Sequence, residues 1–362
     1  MNTNDPETTV QSSEVILPPG KLPGPILDRL ITTYRTRTDP SVIISPGYGR
    51  DAAAVRLDAA QDLIVKSDPI TFAMDGAARY LVAVNANDVA CLGGIPRWLT
   101  VVALLPEGST TETLVERLFA DLQEACDAFG ISIIGGHTEI TSGVDHPLLI
   151  GTMLGTPGPQ GLIHPGNAHV GDDLLLTKWI GIEGTALLAR ERAGALERAV
   201  GKDVVARAAK LLRHPGISIV ADVRAALALP GVTALHDPTE GGIATAVHEL
   251  ARGSGCGAEI LSDAIPILPE TRLVCDHLGL DALGLLSSGA LLMAVSSHHR
   301  DEIADACREA GVTVTHIGKL VPPADGLTLM QHGERRPLPR FDSDEIARVL
   351  QDDQNIVPKE TP

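Results

Sequence analysis

Residues Val84–Pro96 read Val-Asn-Ala-Asn-Asp-Val-Ala-Cys-Leu-Gly-Gly-Ile-Pro. They place Asn85, Asn87 and Asp88 inside an otherwise apolar helix. Asn and Asp are poor helix formers, because their side chains compete for backbone hydrogen bonds. Burying such groups without partners costs a few kcal/mol each. A fold that accepts this segment must supply partners for these groups. It must also tolerate a core made of small side chains, since the chain is 44% hydrophobic and only 2% aromatic. With 362 residues it is long enough for two such cores.

Gly76–Leu92 reads as a helix ended by Gly93-Gly94, with Pro96 just beyond. Thr111–Phe129 is the clearest amphipathic helix, with Leu114, Leu118, Leu122, Ala125 and Phe129 on one face. Leu63–Ser67, Leu99–Leu105, Ile131–Ile134 and Leu148–Leu154 read as strands. In the second half the expected strands are Leu174–Thr177, Val232–Leu235, Ala258–Leu261, Ala290–Val295 and Val312–Ile317. The expected helices there are Gly184–Arg192, Ile217–Ala228, Ile243–Ala251 and Arg300–Ala310. Several strands are adjacent in sequence, which favours mixed sheets over a doubly wound parallel one. The halves meet at the Gly-, Pro- and His-rich run Thr156–Gly171. The expected organisation is a tail over 1–20, domains over 21–157 and 168–325, and an extension over 326–362.

The net charge of −17 argues against a nucleic-acid partner, which needs clustered Lys and Arg. It leaves room for a nucleotide whose phosphates are carried by metal ions on acidic side chains. The cysteines Cys91, Cys126, Cys256, Cys275 and Cys307 form no C-x-x-C pair, so buried free thiols are expected. Met1–Ser13 has no apolar signal-peptide core and Pro147–Gly171 is broken by Gly and Pro. A cytoplasmic protein without a membrane span is expected.

Acidic residues recur at the ends of apolar elements, beside Gly, Pro or Thr. Asp51 follows Gly47-Tyr48-Gly49-Arg50, and Asp68 ends the strand Leu63–Ser67. Glu139 lies in the run Gly135-Gly136-His137-Thr138-Glu139, read as a glycine-rich turn. Asp237 lies in His236-Asp237-Pro238-Thr239-Glu240-Gly241-Gly242, between a strand and a helix. Asp88 is the fifth. Carboxylates converging from element ends suit Mg2+, and nearby glycines let backbone N–H groups approach phosphate. Blander readings exist: Asp68-Pro69 starts a turn, and Asp237 with Glu240 outlines a capping box. Asp88 has no such alternative. Gly47–Ala52 fits G-x-G-x-x-A, but Ala53–Leu57 reads as a strand where a dinucleotide fold needs a helix. His137 stands beside Glu139 in the glycine run and is a candidate catalytic group. Lys21 is either a phosphate-binding cation on a loop or a solvated lysine.

Taken in order, these segments resemble the AIR synthase-related, PurM-like superfamily and, within it, HypE-like hydrogenase maturation proteins. The carrying pieces are Gly49–Ala53, Lys66–Thr71, Asn87–Ala90 with Gly93–Pro96, Gly135–Glu139, His236–Gly242, Ser287-Ser288-Gly289 and Leu17–Pro23. The resemblance implies an α+β, two-domain subunit whose N-terminal mixed sheet joins a second copy in a dimer barrel. It implies Mg-ATP bound in a cleft at that interface, and a phosphorylated or dehydrated amide-type or other small acceptor. Residue by residue, it makes Asp51, Asp68, Asp88 and Glu139 metal or phosphate ligands. Asn87 positions phosphate, Gly135, Gly136 and Thr138 line it, Asp237 approaches from the second domain, and Lys21 closes over it. Two departures stand out. Many relatives have paired acids where this chain has Arg50-Asp51. HypE carries a terminal cysteine that receives a carbamoyl group, whereas this sequence ends Val357–Pro362 and its last cysteine is Cys307. Carbamoyl dehydration on its own C-terminus is therefore not expected. The other expected role is a non-catalytic nucleotide-binding maturation factor that docks another protein.

Overall fold

The computed structural model describes residues 24–33, 39–45, 50–58, 61–71 and 76–350. The first half builds a six-stranded sheet from β1 (Val42–Ile44), β2 (Ala53–Asp58), β3 (Gln61–Ile70), β4 (Gly94–Pro106), β5 (Ser132–Thr141) and β6 (Leu148–Pro157). Their order is β1-β2-β3-β6-β4-β5, so β5 is an edge strand. The second half builds a seven-stranded sheet from β7 (Asp173–Thr177), β8 (Val232–His236), β9 (Gly257–Leu261), β10 (Leu292–Val295), β11 (Val314–Val321), β12 (Leu327–Gln331) and β13 (Glu334–Pro337). Both sheets are mixed: β4–β5 and β9–β12 run parallel and the other paired strands antiparallel.

The helices of the first half are α1 (Gly24–Thr33), α2 (Ala77–Cys91) and α3 (Glu112–Phe129). Those of the second are α4 (Ile182–Glu191), α5 (Ala193–Val200), α6 (Lys202–Lys210), α7 (Val220–Ala226), α8 (Gly242–Gly253), α9 (Pro269–Leu278), α10 (Arg300–Glu309) and α11 (Glu345–Leu350). The helix read from the apolar stripe of Thr111–Phe129 is present as α3. Thr111 caps it by accepting from Leu114 N at 3.2 Å, and Gly130 ends it at φ 67°. Ala53 opens a strand, as expected, so the dinucleotide pattern has no helix to serve.

α2 is the keystone. Thirteen of its 15 residues are buried, so it has no solvent-facing stripe. One side lies on β3, β4 and β6, where Leu81, Val82 and Val89 join Ile64, Leu99, Leu149 and Met153 in one core. Its C-terminal end meets the second half, where Ala90 and Cys91 pack with Ile219, Val223 and Leu235. Aliphatic side chains buried to this degree contribute roughly 1.5–3 kcal/mol each. The turn out of α2 is tight: a Cβ on Gly93, which sits at φ 72°, would come within 2.8 Å of Ile163 Cγ1. Pro96 does not follow the helix in a loop, because β4 begins at Gly94 immediately after the turn.

Two local expectations are corrected. Gly135–Glu139 is not a turn: β5 runs straight through it. A Cβ on Gly136 would fall 1.9 Å from Val101 O, so the glycine serves close strand approach there. Asp237 is not a helix cap either. α8 begins after Gly241, in the left-handed region at φ 77°, with no side-chain cap. Helices α5, α6 and α9 were not anticipated by the periodicity. Strands β12 and β13 add to the second sheet, and Asp344 returns to accept from Gly241 N at 2.7 Å and Leu286 N at 3.3 Å.

Candidate active site at the helix between the sheets

Alternation along β3 puts Ile64, Lys66, Asp68 and Ile70 on one face of the first sheet. Their β6 partners are Gly155, Met153, Gly151 and Leu149. A Cβ on Gly151 would touch Leu81 and Asn85, so this is the face that carries α2. Lys66 and Asp68 are thereby aimed at the polar stretch of the helix.

Asn85, the one helix amide with no assigned role, now has one. Its Oδ1 accepts from Asp68 N at 3.1 Å, and its Nδ2 donates to Leu81 O at 2.9 Å. It pins the backbone of the strand carboxylate to the helix. Asn87 reaches the other way. Its Nδ2 donates to Ile217 O and to Asp237 Oδ2, both at 2.9 Å, and its Oδ1 accepts from Ile219 N at 2.9 Å. Both amide protons are spent joining the two halves. The sequence-read helix over Ile217–Ala228 starts only at Val220, and Asn87 holds the non-helical backbone before it.

Asp88 is buried, with Oδ2 2.7 Å from Lys66 Nζ. Lys66 Nζ also lies 3.1 Å from Asp68 Oδ2. Burial opposes the Lys66 charge, but Asp88, Asp68 and Asp51 outweigh it and hold the ammonium protonated far above the usual lysine range. Burial pushes the Asp88 carboxyl up to about 8 against the pull of Lys66, and Asp51 and Asp68 add to the rise.

The second half contributes His236 and Asp237 at the end of β8. His236 Nε2 is 2.9 Å from Glu249 Oε2, and its Nδ1 faces Asp51 Oδ2 at 3.4 Å. Burial disfavours a charge on the ring, yet Asp51 and Glu249 prevail and raise it well above the ordinary histidine range. Asp237 is raised by burial, with the Asp88 carboxylate adding to the shift. Its Oδ1 is buried without a hydrogen-bond partner, an uncommon state for a carboxylate oxygen. Arg50, next to Asp51 in sequence, donates to Ser45 O at 2.9 Å.

Thus Asp51, Asp68, Asn87, Asp88 and Asp237 are brought together. Lys66, His236, Glu249 and Asn85 join them and were not read as site residues. Period-2 spacing to Asp68 was a usable signal for Lys66. Nothing local pointed to Glu249, thirteen residues from His236 on α8.

His137 and Glu139 are elsewhere. Asp68 pairs with Gly151, Gly151 with Val101 and Val101 with Gly136, so Gly136 and Thr138 share the α2 face. His137 and Glu139 alternate onto the opposite face, both exposed, with His137 Nε2 3.3 Å from Glu139 Oε2. β3 and β5 lie three strand spacings apart, about 14 Å. A single chain does not bring Glu139 to the Asp88 cluster. Gly135 lies on β5 as well, where the strand register with β4 slips. Lys21 lies outside the described residues.

Oxygen donors in excess of positive charge suit a hard cation such as Mg2+ in kind, and the unpartnered Asp237 oxygen is a further donor. Their placement does not complete a metal centre. Among the described residues no three His, Cys, Asp or Glu side chains converge as a metal group. Lys66 stands between Asp68 and Asp88.

Another buried acid, Glu183, lies near the start of α4, where it bonds Ser288 and burial pushes it up to about 8; among the described residues no cation pairs with it. The five cysteines are free, four buried and Cys256 half-buried. Among the described residues no helix is long and apolar enough to cross a membrane.

Comparison with known proteins gives this arrangement a family. A family model described as AIR synthase related protein, N-terminal domain, matches residues 49–156, and its C-terminal counterpart matches 169–328. Carbamoyl dehydratase HypE of Escherichia coli (strain K12) is 30% identical over 327 residues, covering 84% of this chain and 91% of that protein. A HypE–HypF complex structure shares the fold at TM-score 0.70 and 20% identity, over 87% of this chain and 99% of the other. A HypE structure in complex with ATP does so at TM-score 0.64 and 23% identity, over 88% and 95%. The chain belongs to the AIR synthase-related, PurM-like superfamily, among its HypE-like proteins.

Proposed function

We propose that this chain is an ATP- and Mg2+-dependent enzyme that phosphorylates or dehydrates an amide-type or other small acceptor, free or carried by a partner protein. The carrying observation is the cluster around α2. Asp51, Asp68, Asp88 and Asp237 meet there from both halves, with two cations, the half-buried Lys66 and the buried His236, among them. A HypE relative of the same fold has been solved with ATP, which supports the nucleotide half of the reading.

The chain's own residues divide the work. Asn85 and Asn87 fix the carboxylates, so little reorganisation remains when ligand arrives. Lys66 and His236 supply protonated donors for phosphate oxygens. Bound Mg2+ would supply charge neutralisation of the phosphates, with Asp51 and the half-exposed Asp68 as the carboxylates that would hold it. Glu139 and His137 complete the site only if a second copy brings them. A homodimer joined through the edge strand would do so. Exposed Ile133, Ile134 and Ile140 on β5 support that arrangement.

The test is phosphorus NMR of the chain with ATP, Mg2+ and amide- or carbamoyl-bearing acceptors. Conversion to ADP or AMP that depends on acceptor and is lost in Asp68→Asn is the expected result. No conversion with any acceptor, with ATP still bound, favours the second reading, a nucleotide-binding maturation factor that docks another protein. That reading draws support from the HypE–HypF complex.

A further inference from the structure

We propose that Lys66 is a built-in cation that takes the place of one divalent metal ion between Asp68 and Asp88. The inference rests on reading this cluster as a metal-phosphate site and assigns a residue that the family resemblance does not.

The geometry is that of an ammonium, not of a metal. Nζ stands 2.7 Å from Asp88 Oδ2 and 3.1 Å from Asp68 Oδ2. Magnesium requires its oxygens at about 2.0–2.1 Å in near-octahedral order. The two carboxylates are thus spaced around the amine nitrogen. The stem of Lys66 lies on the α2 face of β3 between Ile64 and Asp68, so Nζ enters the cluster from the sheet. Its side chain is only 18% exposed.

A structural ion pair is a poor explanation. Burying a lysine against a carboxylate costs desolvation that an apolar pair of like volume would avoid. Asp51 and Glu249 flank His236, and Asp237 keeps a buried oxygen without a hydrogen-bond partner, so acidic side chains surround both cations of the cluster. A metal can reach the Asp68–Asp88 pair only by displacing the ammonium. The chain should hold at least one fewer ion at this wall than its carboxylates could ligate.

The test is Mn2+ binding to the full chain without nucleotide, followed by electron paramagnetic resonance of the free ion. Wild type is compared with Lys66→Met, Lys66→Thr, which leaves space for a hydrated ion, and Lys66→Arg. The expected result is an added Mn2+ site, or binding at least about tenfold tighter, in the Met or Thr variant and not in Arg. A Met or Thr variant that folds only when Mn2+ is supplied also supports the proposal. Mn2+ isotherms identical to wild type, or unfolded variants that Mn2+ does not rescue, overturn it. Because nucleotide is absent, failure of ATP binding elsewhere leaves this result readable on its own.

Discussion

Asp88 and Glu139 are both carboxylates within a few residues of a Gly-Gly pair, and the fold treats them in opposite ways. Asp88 is 4% exposed and held 2.7 Å from Lys66. The Glu139 side chain is 52% exposed, faces His137 and stands on an edge strand. The α2 wall is finished inside one chain: each of its amides is spent on fixing a neighbour. Among the described residues nothing covers β5, which is exposed from Ser132 to Ile140. Preorganised groups lose little on binding, whereas exposed ones gain position only when another surface covers them.

The contrast can be broken most forcefully at Asp88. Asp88→Ala leaves Lys66 buried with one half-exposed partner and should cost about 3–5 kcal/mol in denaturant unfolding. Asn87→Ala removes three hydrogen bonds between the halves and should cost roughly 2–4 kcal/mol, by the same measurement. A loss near zero at either position would mean that the wall is not preformed.

A buried acid raised by desolvation sharpens the same point through pH. The folded-state pKa of Glu183 is raised from 4.5 to about 8. The folded chain therefore holds a proton that the unfolded chain releases across that window. Stability should fall as pH rises from about 4.5 through about 8, by up to a few kcal/mol. In Glu183→Gln thermal melts, this part of the slope should vanish, with the variant gaining on wild type toward pH 9. An unchanged slope would place the acid in a wetter setting than its burial indicates.

Changes on β5 should barely touch stability. Glu139→Gln and His137→Ala should each shift unfolding by less than about 0.5 kcal/mol. Their effect should appear instead as lost ATP turnover, if a second copy presents them. Ile134→Lys should convert a dimer to a monomer in light scattering. A dimer that survives this change would show that β5 is not the joining edge.

Much of this was legible in the residues. The unexplained polar run of α2 called for partners, and the structure supplies them from both halves. The stripe of α3 and the strand after Ala52 were equally plain. The rest is hidden for physical reasons. Gly135-Gly136 looks like a turn because glycine is permissive, but here the missing Cβ lets β5 approach Val101. Asp237 looks like a cap because Glu240 follows at capping-box spacing, but Asn87 claims its oxygen. Lys66 stands two residues before Asp68, and the register of β3 against α2 turns both inward. Glu249 becomes visible only when α8 folds back over β8.

The central claim is that the α2 wall binds Mg-nucleotide through Asp68. Calorimetric titration of ATP with Mg2+ into wild type and Asp68→Asn tests it most directly, since Asp68 is half-buried and its loss should leave the fold intact. The account predicts saturable binding to wild type, weakened about tenfold or more in the variant, as expected for a lost charged ligand. No binding to wild type, or equal binding to both, would contradict it.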